Sequence, residues 1–462
     1  MSVATEPRTT PGEATDQAGP TAYSPWGARL LLGCLLLTAL MFRQDQGLVV
    51  PDTKLDLTAD PVGFLGRALH LWDPQGFLGQ LQNQAYGYLL PVGPFHAVLV
   101  ELGLPGWVVQ RLWWSVVLCV AFVGTWRLAR ALGMGAPWAA YVAAFAYALT
   151  PRMLSEVTIT SVEVWPMAMA PWVLLPLVSR APLTWWGRIW RSALAVALVG
   201  GVNAVATGAV LVLLALWFLT RRWTRETLVA GAAWLATVVV AIAWWLVPLL
   251  VMGRHSPPFL DWIESAAVTT LVAAPSEALR GTTHWLMYLV TASGATWPGG
   301  RQYVEAGLLV AGSTLVALAG LAALTRRRTP HRLFLAVGLG AGLVLVGAGH
   351  TGPLAGVLAE PVQALLDGPL AALRNTHKFE LVVRLPLVLL LASALTQLGR
   401  WGHGRGVHRH LVPFVSACLV VVVAAPALAA TLPRAGGYQE IAPHWVEVAD
   451  WLDAQPGDGT VL

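Results

Sequence analysis

Lysine is almost missing from this chain: two residues, Lys54 and Lys378, in 462. Charge of either sign is scarce. Asp, Glu, Lys and Arg together make up 11% of the residues, against about 25% in ordinary soluble domains. That scarcity excludes two or three water-soluble domains of this total length, which would need a far more polar surface. The three cysteines, Cys34, Cys119 and Cys418, all fall inside apolar runs, so neither a disulfide framework nor a CxxC metal site is available. HExxH, GxSxG, Walker and Rossmann motifs are also missing from any fitting context.

What is present is apolar sequence, 56% of the chain, with a mean hydropathy of +0.63. This composition points to an all-α polytopic membrane protein. Spanning helices need about 20 mostly apolar residues. Candidates lie near 27–47, 107–126, 133–150, 165–179, 192–206, 207–220, 227–248, 305–324, 333–349, 385–399 and 411–430, which is about eleven transmembrane helices. The stretch "GGVNAVATG" breaks the pair near 192–220, because glycine and Asn203 suit a turn. Residues 1–25 are polar and proline-rich, and read as a disordered cytoplasmic tail. The run Ala28–Phe42 lacks a small-residue cleavage site and reads as a retained signal-anchor.

The loops test this threading. With the N-terminus cytoplasmic, the inside loops are Arg127–Arg130, Arg180–Arg191, Arg221–Glu226, Thr325–Arg332 and Arg400–His410. They carry fifteen of the 29 basic residues and one acid, Glu226. That asymmetry is what the positive-inside rule requires. It also accounts for the net charge of +5 without a nucleic-acid partner. The long loops are all exoplasmic, so the function is expected on that face, with the C-terminus there too.

The first long loop opens with "VVPDTKLDLTADP", three aspartates and a lysine between Asp52 and Asp60. Alternation from Asp52 to Thr58 predicts an extended segment with Asp52, Lys54 and Asp56 on one face. Asp60-Pro61 and Asp73-Pro74 read as helix starts, aspartate as cap and proline at the first position. Asp52 and Asp56 have no such capping assignment. A carboxylate there, between a membrane helix and an amphipathic one, would be partly desolvated and shifted toward general-base work. A solvated loop with a weak Lys54 ion pair is the alternative. Downstream, Gln82, Asn83 and Gln84 offer amides and Tyr86 and Tyr88 offer aromatic faces. Both suit a sugar, or in the tyrosines' case an interfacial belt.

A second constellation, "LRNTHKFELVVRLP", opens a late membrane helix on the outside with Arg374, His377, Lys378 and Arg384. Fixed positive charges at a helix mouth suit a phosphate at the bilayer surface. Glu156 and Glu163, in a short outer loop, could assist binding or hold a metal. Arg111, near the outer end of a span, could bind phosphate or snorkel. No metal ligand set is assigned, and cofactor use is left open.

Several runs, "DTKLDLTADP", "ALHLWDPQGFLGQLQNQAYGYLLPVGPF", "LGLPGWVVQRLWW" and "LRNTHKFELVVRLPL", closely resemble the mycobacterial alpha-(1→3)-arabinofuranosyltransferase family, within the C-type (GT-C) glycosyltransferase superfamily. The likeness covers most of 27–440. It implies a GT-C membrane domain over 26–430 with amphipathic helices in long exoplasmic loops. It also implies transfer of arabinofuranose from decaprenyl-phosphoryl-arabinose to cell-wall arabinan, in arabinogalactan or lipoarabinomannan, at the outer leaflet of the cell membrane. The superfamily's catalytic first-loop acid maps onto Asp52, with Asp56 second. Lys54, Arg374, His377, Lys378 and Arg384 are then expected to hold the donor phosphate. Gln82, Asn83, Gln84, Tyr86, Tyr88 and Glu163 would bind substrate. Members of the family are much longer than this chain. Residues 431–462 read as an amphipathic helix, a turn and a first strand, the start of a truncated exoplasmic domain. Two other classes compete: a transporter or flippase of lipid-linked sugar, and a non-catalytic cell-wall scaffold. Transporters usually carry ionisable groups near mid-membrane, and these spans carry almost none.

Overall fold

The computed structural model describes residues 25–74, 79–81, 84–179, 181–292, 294–352 and 355–455. The predicted tail (1–25, apart from Pro25), Gln82, Asn83 and the predicted C-terminal turn and strand lie outside the described residues. Each of the eleven predicted apolar segments holds a helix. These are α1 (Pro25–Phe42), α2 (Gly106–Ala131), α3 (Pro137–Ala148), α4 (Ser161–Val178), α5 (Trp185–Val199) and α6 (Ala204–Leu219). They continue with α7 (Arg225–Met252), α8 (Gly307–Ala322), α9 (Arg332–Gly347), α10 (Glu380–His403) and α11 (Leu411–Val423). Among the described residues, α2, α4, α7 and the stretches containing α8 and α10 are long and apolar enough to cross a membrane; α1, α6, α9 and α11 are apolar but shorter.

Local chemistry sets the breaks. Gly200, at φ 85°, ends α5 in a conformation open to glycine, and the Asn203 side chain caps α6 by accepting from Ala206 N–H. The predicted break therefore falls at 200–203, and α5 starts earlier than expected, at a Thr184 cap. Within α4, Pro171 has no N–H to offer the carbonyl of Met167. The hydroxyl of the buried Tyr147 donates to that carbonyl instead, at 2.8 Å.

Packing divides the helices by exposure. α2 lies against α1, α3 and α4, and α10 lies against α3, α8 and α9. α10 is the central element, buried along most of its length. α7 is the opposite: Leu228, Leu235, Val240, Val247 and Leu250 all face outward, the apolar exposed face that lipid contact requires.

Two local expectations fail. The segment after Asp52 is not extended: Asp56 begins a short helix, Asp56–Ala59, so Asp52 is buried while Asp56 is exposed. Asp73 does not start a helix. It lies in β1 (Trp72–Asp73), paired antiparallel with β2 (Gln80–Leu81). Asp60, by contrast, caps the helix Pro61–Ala68, accepting from Gly63 N–H at 2.9 Å.

Candidate functional site

The site is built around the first turn of α4. Thr160, at the N-cap, makes no capping bond of its own. Asp52 reaches in from another loop in its place. Its Oδ1 accepts from Ser161 N–H at 2.6 Å, and its Oδ2 accepts from Ser161 Oγ at 2.6 Å and Trp114 Nε1 at 2.8 Å. A carboxylate offers about four acceptor positions, so one on Oδ1 has no partner among the described residues. Burial pushes the Asp52 carboxyl above its ordinary range, against the opposing pull of the Ser161 and Trp114 bonds.

Helix α2 fixes the loop that delivers Asp52. Gln110 clamps Val50 twice, accepting from its N–H at 3.0 Å and donating to its carbonyl at 2.7 Å. Arg111 donates to the carbonyls of Gln44, Asp45 and Leu48, each at 2.9 Å, and lies over the Trp114 ring. Arg111 therefore neither snorkels nor stands free for phosphate, because turn carbonyls occupy its guanidinium. Trp113 donates to Ser161 Oγ at 3.0 Å. The run "QRLWW" is thus the mount for Asp52, a role the sequence reading missed for Gln110 and both tryptophans.

On the other side of the same turn sits Glu163, two residues after Ser161 and about 200° around the helix. His377 Nε2 bonds Glu163 Oε1 at 3.0 Å, Arg152 Nη2 donates to the same oxygen at 3.1 Å, and Lys378 Nζ is 3.9 Å from Oε2. Arg152 also pairs with Glu156, four residues on in the short helix Pro151–Glu156. The His284 ring lies against that of His377, tilted by 37° with ring centroids 3.8 Å apart. Its Nδ1 accepts from Leu286 N–H, so the neutral ring carries its proton on Nε2, 3.7 Å from Glu156 Oε1. Burial, with His377 and Arg152 nearby, holds His284 well below the usual imidazole range. Glu380, next along, accepts from Thr283 N–H at 3.0 Å and from Thr283 Oγ1. Glu156 Oε2, His377 Nδ1 and Glu380 Oε2 are buried without a partner among the described residues. Each such group costs about 1–3 kcal/mol, which a hydrogen-bonding partner would offset.

Glu163, His284 and His377 each offer a ligand atom, all within 4.8 Å of one another. Two observations weigh against a divalent ion there. His284 Nδ1 already meets an N–H donor, and two fixed cations, Arg152 and Lys378, lie within 4 Å of Glu163.

The remaining predicted residues scatter. Asp56 pairs with Arg67 at 3.0 Å on the exposed side of its helix. Lys54 is half-buried, with no ion pair among the described residues. Arg374 bonds the carbonyls of Leu260, Glu264 and Leu366 and pairs with Asp367, bracing loops. Arg384 is buried and donates to the carbonyl of Ala278. Gln84 sits at φ 57° before the short helix Ala85–Leu89, where Tyr86 and Tyr88 are buried. Burial of Tyr88 pushes its hydroxyl up to about 12, and that hydroxyl meets Thr53 Oγ1 at 2.5 Å, one residue from Asp52. Of the late constellation, then, only His377 and Lys378 join Glu163. Arg152 and His284 were not foreseen; the one available signal was an arginine four residues before Glu156, in the loop that carries both glutamates.

Comparison with known proteins follows the same outline. The family model described as "Alpha-(1->3)-arabinofuranosyltransferase, N-terminal GT-C domain" matches residues 36–462. An alpha-(1→3)-arabinofuranosyltransferase of Mycobacterium tuberculosis is 42% identical over 449 residues, 92% of this chain and 31% of its own length. That of Mycolicibacterium smegmatis is 42% identical over 442 residues, with the same coverage. A cryo-EM structure of the arabinofuranosyltransferase AftD from Mycobacteria superposes with a TM-score of 0.73 at 35% identity, over 94% of this chain and 29% of that one. The chain thus spans about a third of its curated relatives. Helical, apolar and matched over nearly its whole length, it is a membrane protein that belongs to the alpha-(1→3)-arabinofuranosyltransferase family.

Proposed function

We propose that this chain forms the membrane catalytic domain of a glycosyltransferase that moves arabinofuranose from decaprenyl-phosphoryl-arabinose to cell-wall arabinan at the outer leaflet. Asp52 is the general base. It takes the proton of the acceptor hydroxyl through the open position on Oδ1, while the hydroxyl oxygen bonds the anomeric carbon and the carbon–oxygen bond to the lipid phosphate breaks. Such help is typically worth about 10²–10⁴ in rate. Lys378, with Arg152 behind it, stabilises the charge that grows on the departing phosphate. Glu163 holds Lys378 in place, and Glu163 and His377 offer acceptors to sugar hydroxyls.

The observation that carries this reading is the meeting of both constellations on one helix turn. Asp52 binds Ser161, and His377 and Lys378 meet Glu163 two residues later. The orientation proposed is the one that places this turn outside, with the arginine-rich loops in the cytoplasm.

The test is a membrane assay with radiolabelled lipid-phosphoryl-arabinose and a short arabinan acceptor. It uses this chain alone and the chain joined to the remaining sequence of the smegmatis relative. Labelled product, lost in Asp52→Asn at unchanged membrane level, is expected. Movement of the donor across the bilayer without product would make the protein a flippase. Full turnover by Asp52→Asn would remove Asp52 from the base role.

A further inference from the structure

At the far end of α10 lies a feature that the transfer reaction does not use. A cavity of about 400 Å³ opens between the α2–α3 turn, the α8–α9 loop and the last turns of α10. Arg326, Arg327, Arg328 and Arg400 line it, with Thr396 and Gln397 beneath them. All four arginines are exposed, and none has a carboxylate partner among the described residues. The floor is rigid. A side chain on Gly135 would strike Thr396 Oγ1 and the carbonyl of Ala392 at 2.4 and 2.6 Å, and Thr396 also accepts from Ala136 N–H at 2.9 Å. Four fixed positive charges around one cavity repel one another and call for an anion.

A second opening shows what kind of anion. An adjoining groove of about 340 Å³ runs between α8 and α10 and shares Arg326 and Gln397 with the cavity. Its walls are apolar: Ala319, Ala322, Leu395, Leu398 and Trp401. Trp401 is half-exposed at its mouth, where tryptophan marks a membrane interface. Thr396 follows Lys378 by 18 residues, about 27 Å along a helix at 1.5 Å per residue. That is close to the roughly 30 Å of a bilayer's hydrocarbon core. The cavity therefore sits at the opposite membrane face from Lys378, and the groove lies beside it along α8, whose Leu315 and Leu318 are exposed.

We propose that this is a binding site for an anionic phospholipid. The headgroup phosphate lies among Arg326, Arg327, Arg328 and Arg400, and one acyl chain lies in the α8–α10 groove. A free phosphate would use the arginines and leave the apolar slot empty; a zwitterionic lipid would leave the excess positive charge unmet. The proposal stands whether or not the Asp52 site transfers sugar.

The test is native mass spectrometry of the purified chain in detergent, titrated with phosphatidylglycerol or phosphatidylcholine. Phosphatidylglycerol is expected to bind at least tenfold more tightly than phosphatidylcholine. Changing all four arginines to glutamine should remove that preference, whereas Arg222→Gln with Arg225→Gln, on another exposed basic loop, should preserve it. Ala322→Trp, which fills the groove from an exposed position, should weaken phosphatidylglycerol binding with every arginine intact. Equal phosphatidylglycerol binding by wild type and the four-arginine variant would overturn the proposal. So would displacement of the lipid by inorganic phosphate at matched concentration, or an Ala322→Trp variant that binds as wild type does.

Discussion

The two ends of α10 handle positive charge in opposite ways. At its start, Lys378 and the neighbouring Arg152 lie within 4 Å of Glu163, in a setting where His377, His284 and Glu156 are buried. At its end, Arg400 and the three arginines of the α8–α9 loop are exposed and without acidic partners among the described residues. A charge taken out of water must be paired where it sits, because desolvation is severe. An exposed one can wait for a mobile partner at little expense. The first end is thus preorganised, its groups fixed before any ligand arrives. The second is adapted to bind something charged from outside, and its affinity should fall with salt.

Breaking the buried end should have the largest effect. Glu163→Gln removes the carboxylate shared by Arg152, His377 and Lys378. Removing one partner of a buried ion pair typically costs about 3–5 kcal/mol. The expected result is a clear fall in the thermal midpoint of the purified protein together with loss of arabinose transfer, both insensitive to salt. A midpoint within a degree of wild type would mean that the cluster is far wetter than its burial indicates.

A smaller effect sharpens the role of Asp52. Burial raises its pKa, and the two Ser161 bonds pull it back down by favouring the ionised form. Ser161→Ala deletes the hydroxyl bond and keeps the backbone one, so the pKa should rise further. A general base acts ionised, so activity falls as pH drops through its pKa. The acidic limb of the pH–rate profile should therefore move to higher pH in Ser161→Ala, by about one unit for a bond worth about 1.4 kcal/mol. The rate well above the limb should stay near that of wild type. A uniform loss at every pH would show that Ser161 only positions the loop.

The helical outline was legible because a 20-residue apolar run has few alternatives, and each predicted segment does hold a helix. Asp60 was legible as a cap because Asp-Pro acts locally. The site was legible only in part. Asp52, Glu163, His377 and Lys378 stood out as charges in an apolar chain, but nothing local says that Asp52 caps a helix 109 residues away. Arg374 and Arg384 stood out equally, yet they meet backbone carbonyls whose positions depend on tertiary packing. The alternation that grouped Asp52 with Asp56 was a true pattern with the wrong cause. Leu57 is buried by the short helix Asp56–Ala59 and not by a strand.

That last case supplies the mildest prediction. Asp56 is half-exposed, and its contact with Arg67 at 3.0 Å is a surface pair, a class worth about 0–1 kcal/mol. Arg67 keeps a second acid, Asp60, at 3.5 Å, so the helix Pro61–Ala68 does not lose its only anchor. Asp56→Asn should accordingly change transfer by about twofold or less and stability by less than about 1 kcal/mol, with whatever difference there is fading at high salt. Set beside Asp52→Asn in the same assay, it separates two aspartates four residues apart. If both variants lose transfer equally, the base is shared or the loop reorganises on substrate binding, and the burial that sets Asp52 apart is not what makes it reactive.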